Sequence, residues 1–119
     1  MPNSNSNGNA AYGVTVNVFP TQAAESLADA TNRLIAGLQA SNPKMLPSGA
    51  PQPIHVDGEN ALSVRFTSES PSGGGETDWL VAVARPQGLL YFICIAPSGD
   101  FDDYNPAFQE LIASVRLAR

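Results

Sequence analysis

The hydrophobic pattern is densest in the second half of the chain, where two apolar runs flank a short turn. The runs span residues 79–84 and 89–96, and the turn between them reads Arg85-Pro86-Gln87-Gly88. Within each run the apolar residues are consecutive rather than alternate. Because successive side chains of a strand point to opposite faces, the pattern predicts a central hairpin that is covered on both faces.

Two other segments alternate apolar and polar residues, which is typical of a strand with one buried face. Their apolar positions are Tyr12, Val14, Val16 and Val18 in the first segment, and Leu62, Val64 and Phe66 in the second. A short strand is also predicted at 53–56, before a turn at Asp57-Gly58. The four prolines of residues 43–53 indicate a surface crossing, and residues 70–75 indicate a flexible hairpin loop.

Two segments show helical spacing of apolar residues. The first is predicted over residues 21–40, with Thr21 as its N-cap. The second begins at Phe101 or Asp102, ends near Val115, and holds Pro106 in its first turn, where a missing amide is tolerated. The predicted stripes are Leu27, Thr31, Leu34, Ile35 and Leu38 in the first helix, and Tyr104, Phe108, Leu111, Ile112 and Val115 in the second.

The order of elements is therefore β-α-(β)-β-β-β-α. Short turns between the later strands predict a mostly antiparallel sheet. An apolar hairpin with two amphipathic helices predicts cover on both faces, which is an α/β/α sandwich of the α+β class. Residues 1–9 are rich in Asn and Ser and are interpreted as a disordered linker or an expression remnant, and residues 10–119 as a single domain.

Charge and hydropathy exclude some classes of function. Only 14% of the 119 residues are charged, the net charge is −5, and Lys44 is the single lysine. Nucleic-acid binding requires clustered positive charge, as does adhesion to anionic membranes. The longest apolar run, residues 88–96, is far shorter than the ~20 residues that span a bilayer. We therefore expect no nucleic-acid partner and no membrane insertion.

The sequence assigns no catalytic, cofactor-binding or metal-binding residue. His55 is the only histidine, so the histidine pair of an H-E-x-x-H zinc site is excluded. The glycine run at 73–75 leads into a strand, whereas a phosphate loop leads into a helix. The acids at 100, 102 and 103 do not match a calcium loop, and they suit a helix N-terminus instead. Cys94 is read as a buried apolar residue, with a reactive thiol as the alternative.

Aromatic residues carry a weaker functional hypothesis. Trp79, Tyr12, Tyr91 and Tyr104 could line a groove or an interface. Packing in the core is the alternative for each of them.

The final third of the chain resembles the closing segment of PsbP/Mog-like domains, in which a last strand feeds a C-terminal helix ending in a Ser-Val/Phe-Arg motif. The matching residues are Leu89-Leu90-Tyr91-Phe92-Ile93, Ala96-Pro97, Phe101, Tyr104, Phe108 and Ser114-Val115-Arg116-Leu117. The preceding stretch Val56-Asp57-Gly58-Glu59-Asn60-Ala61 also resembles the Gly-x-x-Ala turn that enters the next strand of these domains. The resemblance covers about residues 54–117, and it implies the same layered α+β fold.

The chain is also similar to the small non-catalytic domain that follows the protease domain in some bacterial exported zinc metallopeptidases of the CAAX-protease class. The resemblance implies an accessory or protein-interaction domain of a larger exported protein, periplasmic or extracellular, whose partner is a parent catalytic domain or another protein. A carrier that holds a small apolar ligand between sheet and helix is the alternative, and it predicts an enclosed pocket of several hundred Å³. An enzyme would require convergent polar groups with perturbed pKa values.

Overall fold

The computed structural model describes residues 13–69 and 75–117, which form six strands and two helices in an α+β arrangement. The strands are β1 (Gly13–Phe19), β2 (Leu46–Pro47), β3 (Gln52–Val56), β4 (Glu59–Glu69), β5 (Gly75–Arg85) and β6 (Gly88–Pro97); the helices are α1 (Leu27–Ser41) and α2 (Phe101–Ser114). Among the described residues, no helix is both long and apolar enough to cross a bilayer. The predicted linker at 1–9, and Tyr12, lie outside the described residues.

All strand pairs are antiparallel, as predicted, and the sheet runs in the order β1-β6-β5-β4. The outer side of β4 pairs with two short strands, β2 near its C-terminal end and β3 near its N-terminal end. The prediction of a plain surface crossing at 43–53 missed β2, in which Leu46 lies opposite Thr67. Pro47 is tolerated there because β2 lies at the sheet edge, where a missing amide donor costs little.

The central hairpin is buried on both faces, as the consecutive apolar residues predicted. Val81 and Val83 point to one face of β5, whereas Leu80 and Ala82 point to the other, and all four are fully buried. The first face packs against α2 and the second against α1. The α2-side cluster includes Val81, Val83, Phe92, Cys94, Phe101, Phe108 and Ile112; the α1-side cluster includes Ala30, Leu34, Val64, Phe66, Leu80, Ala82 and Leu89.

Helix α1 begins later than predicted. Its N-cap is Ser26, whose Oγ accepts a hydrogen bond from the Asp29 amide at 3.0 Å, whereas Thr21 was the predicted cap. Residues 21–25 form a separate turn in which Ala24 has a φ of 62°. The Glu25 carboxylate closes that turn by accepting from the Gln22 amide at 3.0 Å. This local hydrogen bond competes with helix formation, and periodicity alone does not reveal it.

Helix α2 spans the predicted residues, with two differences. Leu111 was placed in the buried stripe but is exposed, because Phe101, Phe108 and Ile112 supply the face that packs on the sheet. Pro106 is the sixth residue of the helix rather than part of its first turn. The helical hydrogen bonds begin with the Tyr104 amide, which donates to the Asp100 carbonyl at 3.2 Å. Pro106 therefore removes one bond from the second turn.

The predicted turn at Asp57-Gly58 is confirmed. Both residues have positive φ, 49° and 82°, and they join β3 to β4 in a two-residue loop of the kind that Asp-Gly favours. The hairpin between β4 and β5 is also confirmed by the pairing of Glu69 with Gly75. Residues 70–74 of the loop between them, which was predicted to be flexible, lie outside the described residues.

Candidate binding groove along the first strand

The valines of β1 lie on the α2 side of the sheet. Val14, Val16 and Val18 stand opposite Cys94, Phe92 and Leu90 of β6. Residues directly opposite in an antiparallel pair share a face. The valines are 39%, 56% and 45% exposed, so the predicted buried face of this strand is wrong. Helix α2 covers the strands at the centre of the sheet and leaves the apolar face of β1 open.

The open face of β1 forms one wall of a surface groove of about 430 Å³. The opposite wall is the chain that follows α2. We call this feature the valine groove, and its lining is Val16, Val18, Leu90, Phe92, Val115 and Leu117, with Arg85, Gln87 and Arg116 at its polar margin. The groove can therefore bind an apolar group, with basic and amide side chains at its rim.

A hydrogen bond to the β3–β4 turn holds the wall after α2 in place. The Asp57 carboxylate accepts from the Leu117 amide at 2.9 Å, although the two residues are 60 positions apart. Leu117 itself is buried in the α2-side cluster. Asp57 therefore fixes the chain that completes the groove, in addition to forming the turn.

Asp57→Ala is expected to lower the free energy of unfolding by about 1–3 kcal/mol, because it leaves the Leu117 amide unpaired and places alanine at a positive φ. Asp57→Asn keeps an oxygen acceptor, and asparagine tolerates that backbone conformation. Its free energy of unfolding should therefore fall by less than that of Asp57→Ala. Urea unfolding of both variants and the parent chain measures the difference. Equal stabilities for all three chains would contradict the role assigned to this contact.

The outer edge of β1 is open within the described residues, where β6 is its single partner strand. The Val18 amide donates to the side-chain Oδ1 of its neighbour Asn17 at 2.8 Å rather than to a strand. Amides of alternate residues point the same way along a strand, so those of Val14 and Val16 also face the open edge. The strand contains no charged residue, and charge is a common protection of such edges.

The aromatic residues singled out in the sequence do not assemble into one groove. Trp79 is buried in the α2-side cluster, and Tyr104 stacks on Phe108 with a centroid distance of 6.3 Å. Tyr91 packs against the cluster on the other face. Core packing therefore describes these three residues. Trp79 and Ser63 line two open hollows of about 350 and 290 Å³, which expose little of the indole.

A buried carboxyl pair was missed by sequence reasoning. Glu76 and Asp78 lie on one face of β5 and are both buried. Burial raises the pKa of Asp78 to about 8, with further contributions from the hydrogen bond to Glu76 and from its charge. One oxygen of Asp78 has no hydrogen-bond partner among the described residues. The sequence signal for this pair was the i, i+2 spacing of Glu76 and Asp78, because residues at that spacing in a strand lie on the same face.

The remaining candidates for chemistry are spread over the molecule. His55 is exposed on β3, whereas Cys94 is buried, and burial raises the pKa of its thiol to about 11. The predicted burial of Cys94 is therefore confirmed. Asp102 and Asp103 lie in the first turn of α2, where they suit the helix dipole. Within residues 13–69 and 75–117, no cluster of three or more His, Cys, Asp or Glu side chains is placed to hold a metal ion.

Comparison with known proteins identifies the fold but no family. No protein-family model matches the chain, and no curated protein matches it. Among solved structures, the chain is similar to the crystal structure of PA94 from Pseudomonas aeruginosa, a protein of unknown function for which a regulatory role has been suggested. The TM-score is 0.70 at 12% identity, over 92% of this chain and 85% of that one. At this identity the likeness concerns the fold alone.

Proposed function

We propose that this chain is a non-catalytic protein-interaction domain that binds its partner in the valine groove. The observation that carries the proposal is the row of three exposed valines on an uncharged edge strand, next to a groove lined by apolar side chains. Exposed apolar patches of this kind mark interaction sites in soluble proteins. An open strand edge additionally offers backbone groups to an incoming extended segment.

Selection of a displayed peptide library against the 119-residue chain tests this proposal. Selected peptides are expected to alternate apolar and polar residues, as a strand added to β1 requires. Val18→Lys should weaken their binding about tenfold or more, since it puts a charge in the groove. Leu46→Lys is the matched control, because Leu46 is also an exposed apolar residue but lies on β2 at the opposite edge.

Either of two results would overturn the interaction proposal. The first is a selection that enriches no peptide. The second is a set of peptides whose binding is indifferent to Val18→Lys, because their site would then lie elsewhere on the surface.

A carrier of a small apolar ligand is the second candidate, and the size of the valine groove favours it. A volume of about 430 Å³ falls within the range of small-molecule sites. The groove is open along β1, however, whereas the carrier was expected to hold its ligand in an enclosed pocket. Titration calorimetry with a medium-chain fatty acid separates the two functions. Stoichiometric binding that Val18→Lys abolishes would support the carrier function. The absence of any heat of binding would contradict it.

We further propose that the domain is an accessory unit of a larger exported protein such as a metallopeptidase, acting in the periplasm or outside the cell. The support is the resemblance of residues 54–117 to PsbP/Mog-like domains, with which the observed α+β fold agrees. The reading frame that encodes the chain tests the idea. A natural gene limited to these residues would contradict it.

A further inference from the structure

We propose that the open edge of β1 pairs with the β1 strand of a second copy of this chain, so that two sheets join into one antiparallel sheet. The inference rests on the proposed interaction function and names the partner of the valine groove.

The sequence of β1 is self-complementary about Val16. In an antiparallel pair centred on Val16, that residue lies opposite its own copy, and Val14 lies opposite Val18 of the second chain. Side chains directly opposite each other are about 4.5–5.5 Å apart at Cβ and share a face. Six valines would therefore meet on the α2 side of the joined sheet. Each valine would cover apolar surface that is exposed in the single chain.

The backbone of β1 supplies the hydrogen bonds for this pairing. Within residues 13–69 and 75–117, no strand pairs with the outward amides of Val14 and Val16. The Val18 amide is held by the Asn17 side chain at 2.8 Å, and it would exchange that partner for a carbonyl of the second copy. This exchange replaces one hydrogen bond with another, so its net cost is small. The Asn17 side chain therefore binds the Val18 amide in the single chain but does not prevent a second strand from pairing there.

The absence of charge on β1 permits a second copy as the occupant. The chain carries a net charge of −5, so most close approaches of two copies bring like charges together. Strand β1 contains no charged residue, so an interface formed along it places no like charges directly against each other. Residues 3–9 of the same chain are a poorer occupant, because they are Asn, Ser and Gly and offer no apolar side chain to the three valines.

Sedimentation equilibrium of the 119-residue chain, from about 1 to 500 µM, tests the proposal. The mass is expected to rise from that of one chain to that of two. Val16→Lys puts two ammonium groups opposite each other at the symmetry axis, so it should weaken the association about tenfold or more. Leu46→Lys, which adds the same charge at the other edge of the sheet, should leave the association unchanged.

Disulfide trapping gives a second measurement that needs no charged substitution. In the proposed register, the two Cα atoms of residue 16 are about 5.5 Å apart, within the range of a disulfide. Under mild oxidation, Val16→Cys should form a covalent dimer and Leu46→Cys should not. The native Cys94 is buried and should not interfere.

A chain that stays monomeric at every concentration would overturn the proposal, as would an association that Val16→Lys leaves intact. These outcomes are distinct from failure of the proposed function. A monomer that binds selected peptides through Val18 keeps the interaction function and removes the second copy as its partner. A dimer trapped at residue 16 supports the second copy even if no peptide is selected.

Discussion

Gly88→Ala is expected to lower the free energy of unfolding by about 2–4 kcal/mol. Gly88 opens β6 with a φ of 143°, a backbone conformation that side-chain-bearing residues rarely adopt. A Cβ atom at this position would also lie 2.6 Å from the carbonyl oxygen of Phe19 and 3.1 Å from Val18 Cγ1. The end of β1 would have to move away from β6, and urea unfolding measures the resulting loss.

Gly37→Ala is the matched control for this substitution. Gly37 lies inside α1, and a Cβ added there meets no atom within 4 Å. Alanine favours a helix over glycine by up to about 1 kcal/mol, so this variant should be as stable as the parent chain or more so. If Gly88→Ala proved as harmless as Gly37→Ala, the close contact between β1 and the start of β6 would not constrain the fold.

The chain is expected to lose stability as the pH rises from about 4 to about 8, in part because of Asp78. Burial beside Glu76 raises the pKa of Asp78 from 3.8 to about 8. The folded state thus binds a proton that the unfolded state releases near pH 4. The stabilisation by this proton is complete below the pKa that Asp78 has in the unfolded chain. It is lost as the pH rises through the pKa that Asp78 has in the folded chain. At about 1.4 kcal/mol a unit, a displacement of about four units corresponds to at most about 6 kcal/mol. Relaxation and water penetration around the ionised carboxyl lower that cost, so we expect the unfolding free energy to fall by at least about 2 kcal/mol.

Asp78→Asn should remove this part of the pH dependence. An asparagine amide stays neutral and still donates a hydrogen bond to Glu76, so the variant should gain stability over the parent between pH 5 and pH 8. Urea unfolding of the parent chain and of Asp78→Asn, at pH 5 and at pH 8, measures the difference in their unfolding free energies. Asp102→Asn removes an exposed carboxylate from α2 and serves as the control. A parent chain and an Asp78→Asn variant with parallel pH profiles would show that Asp78 ionises normally.

The elements of the fold were largely predictable because their residues carry strong local signals. Consecutive apolar residues identified β5 and β6, and helical spacing identified α1 and α2. The start of α1 was misplaced because the hydrogen bond from Gln22 to Glu25 forms a turn that has no periodicity. Pairing of Leu46 with Thr67 was missed because two residues make no pattern.

The candidate site was harder to predict than the fold. Alternation in β1 identified one apolar face correctly, but it could not tell whether a helix would reach that face. The exposure of Val16 depends on where α2 packs, which is a tertiary property. Burial of Asp78 was likewise invisible, because a carboxylate in a strand usually marks the solvent side. Its environment is set by neighbouring strands rather than by its own segment.

The sheet edge beyond β4, opposite β1, limits the size of any assembly that forms by pairing of sheets. That border is split between two short strands, β2 and β3, and the stretch that forms them contains Pro47, Pro51 and Pro53. Each proline lacks a donor for a further strand, so the sheet can be extended in one direction alone. Such a one-sided sheet gives a closed pair of molecules and terminates there, whereas a sheet open at both borders could grow into a filament.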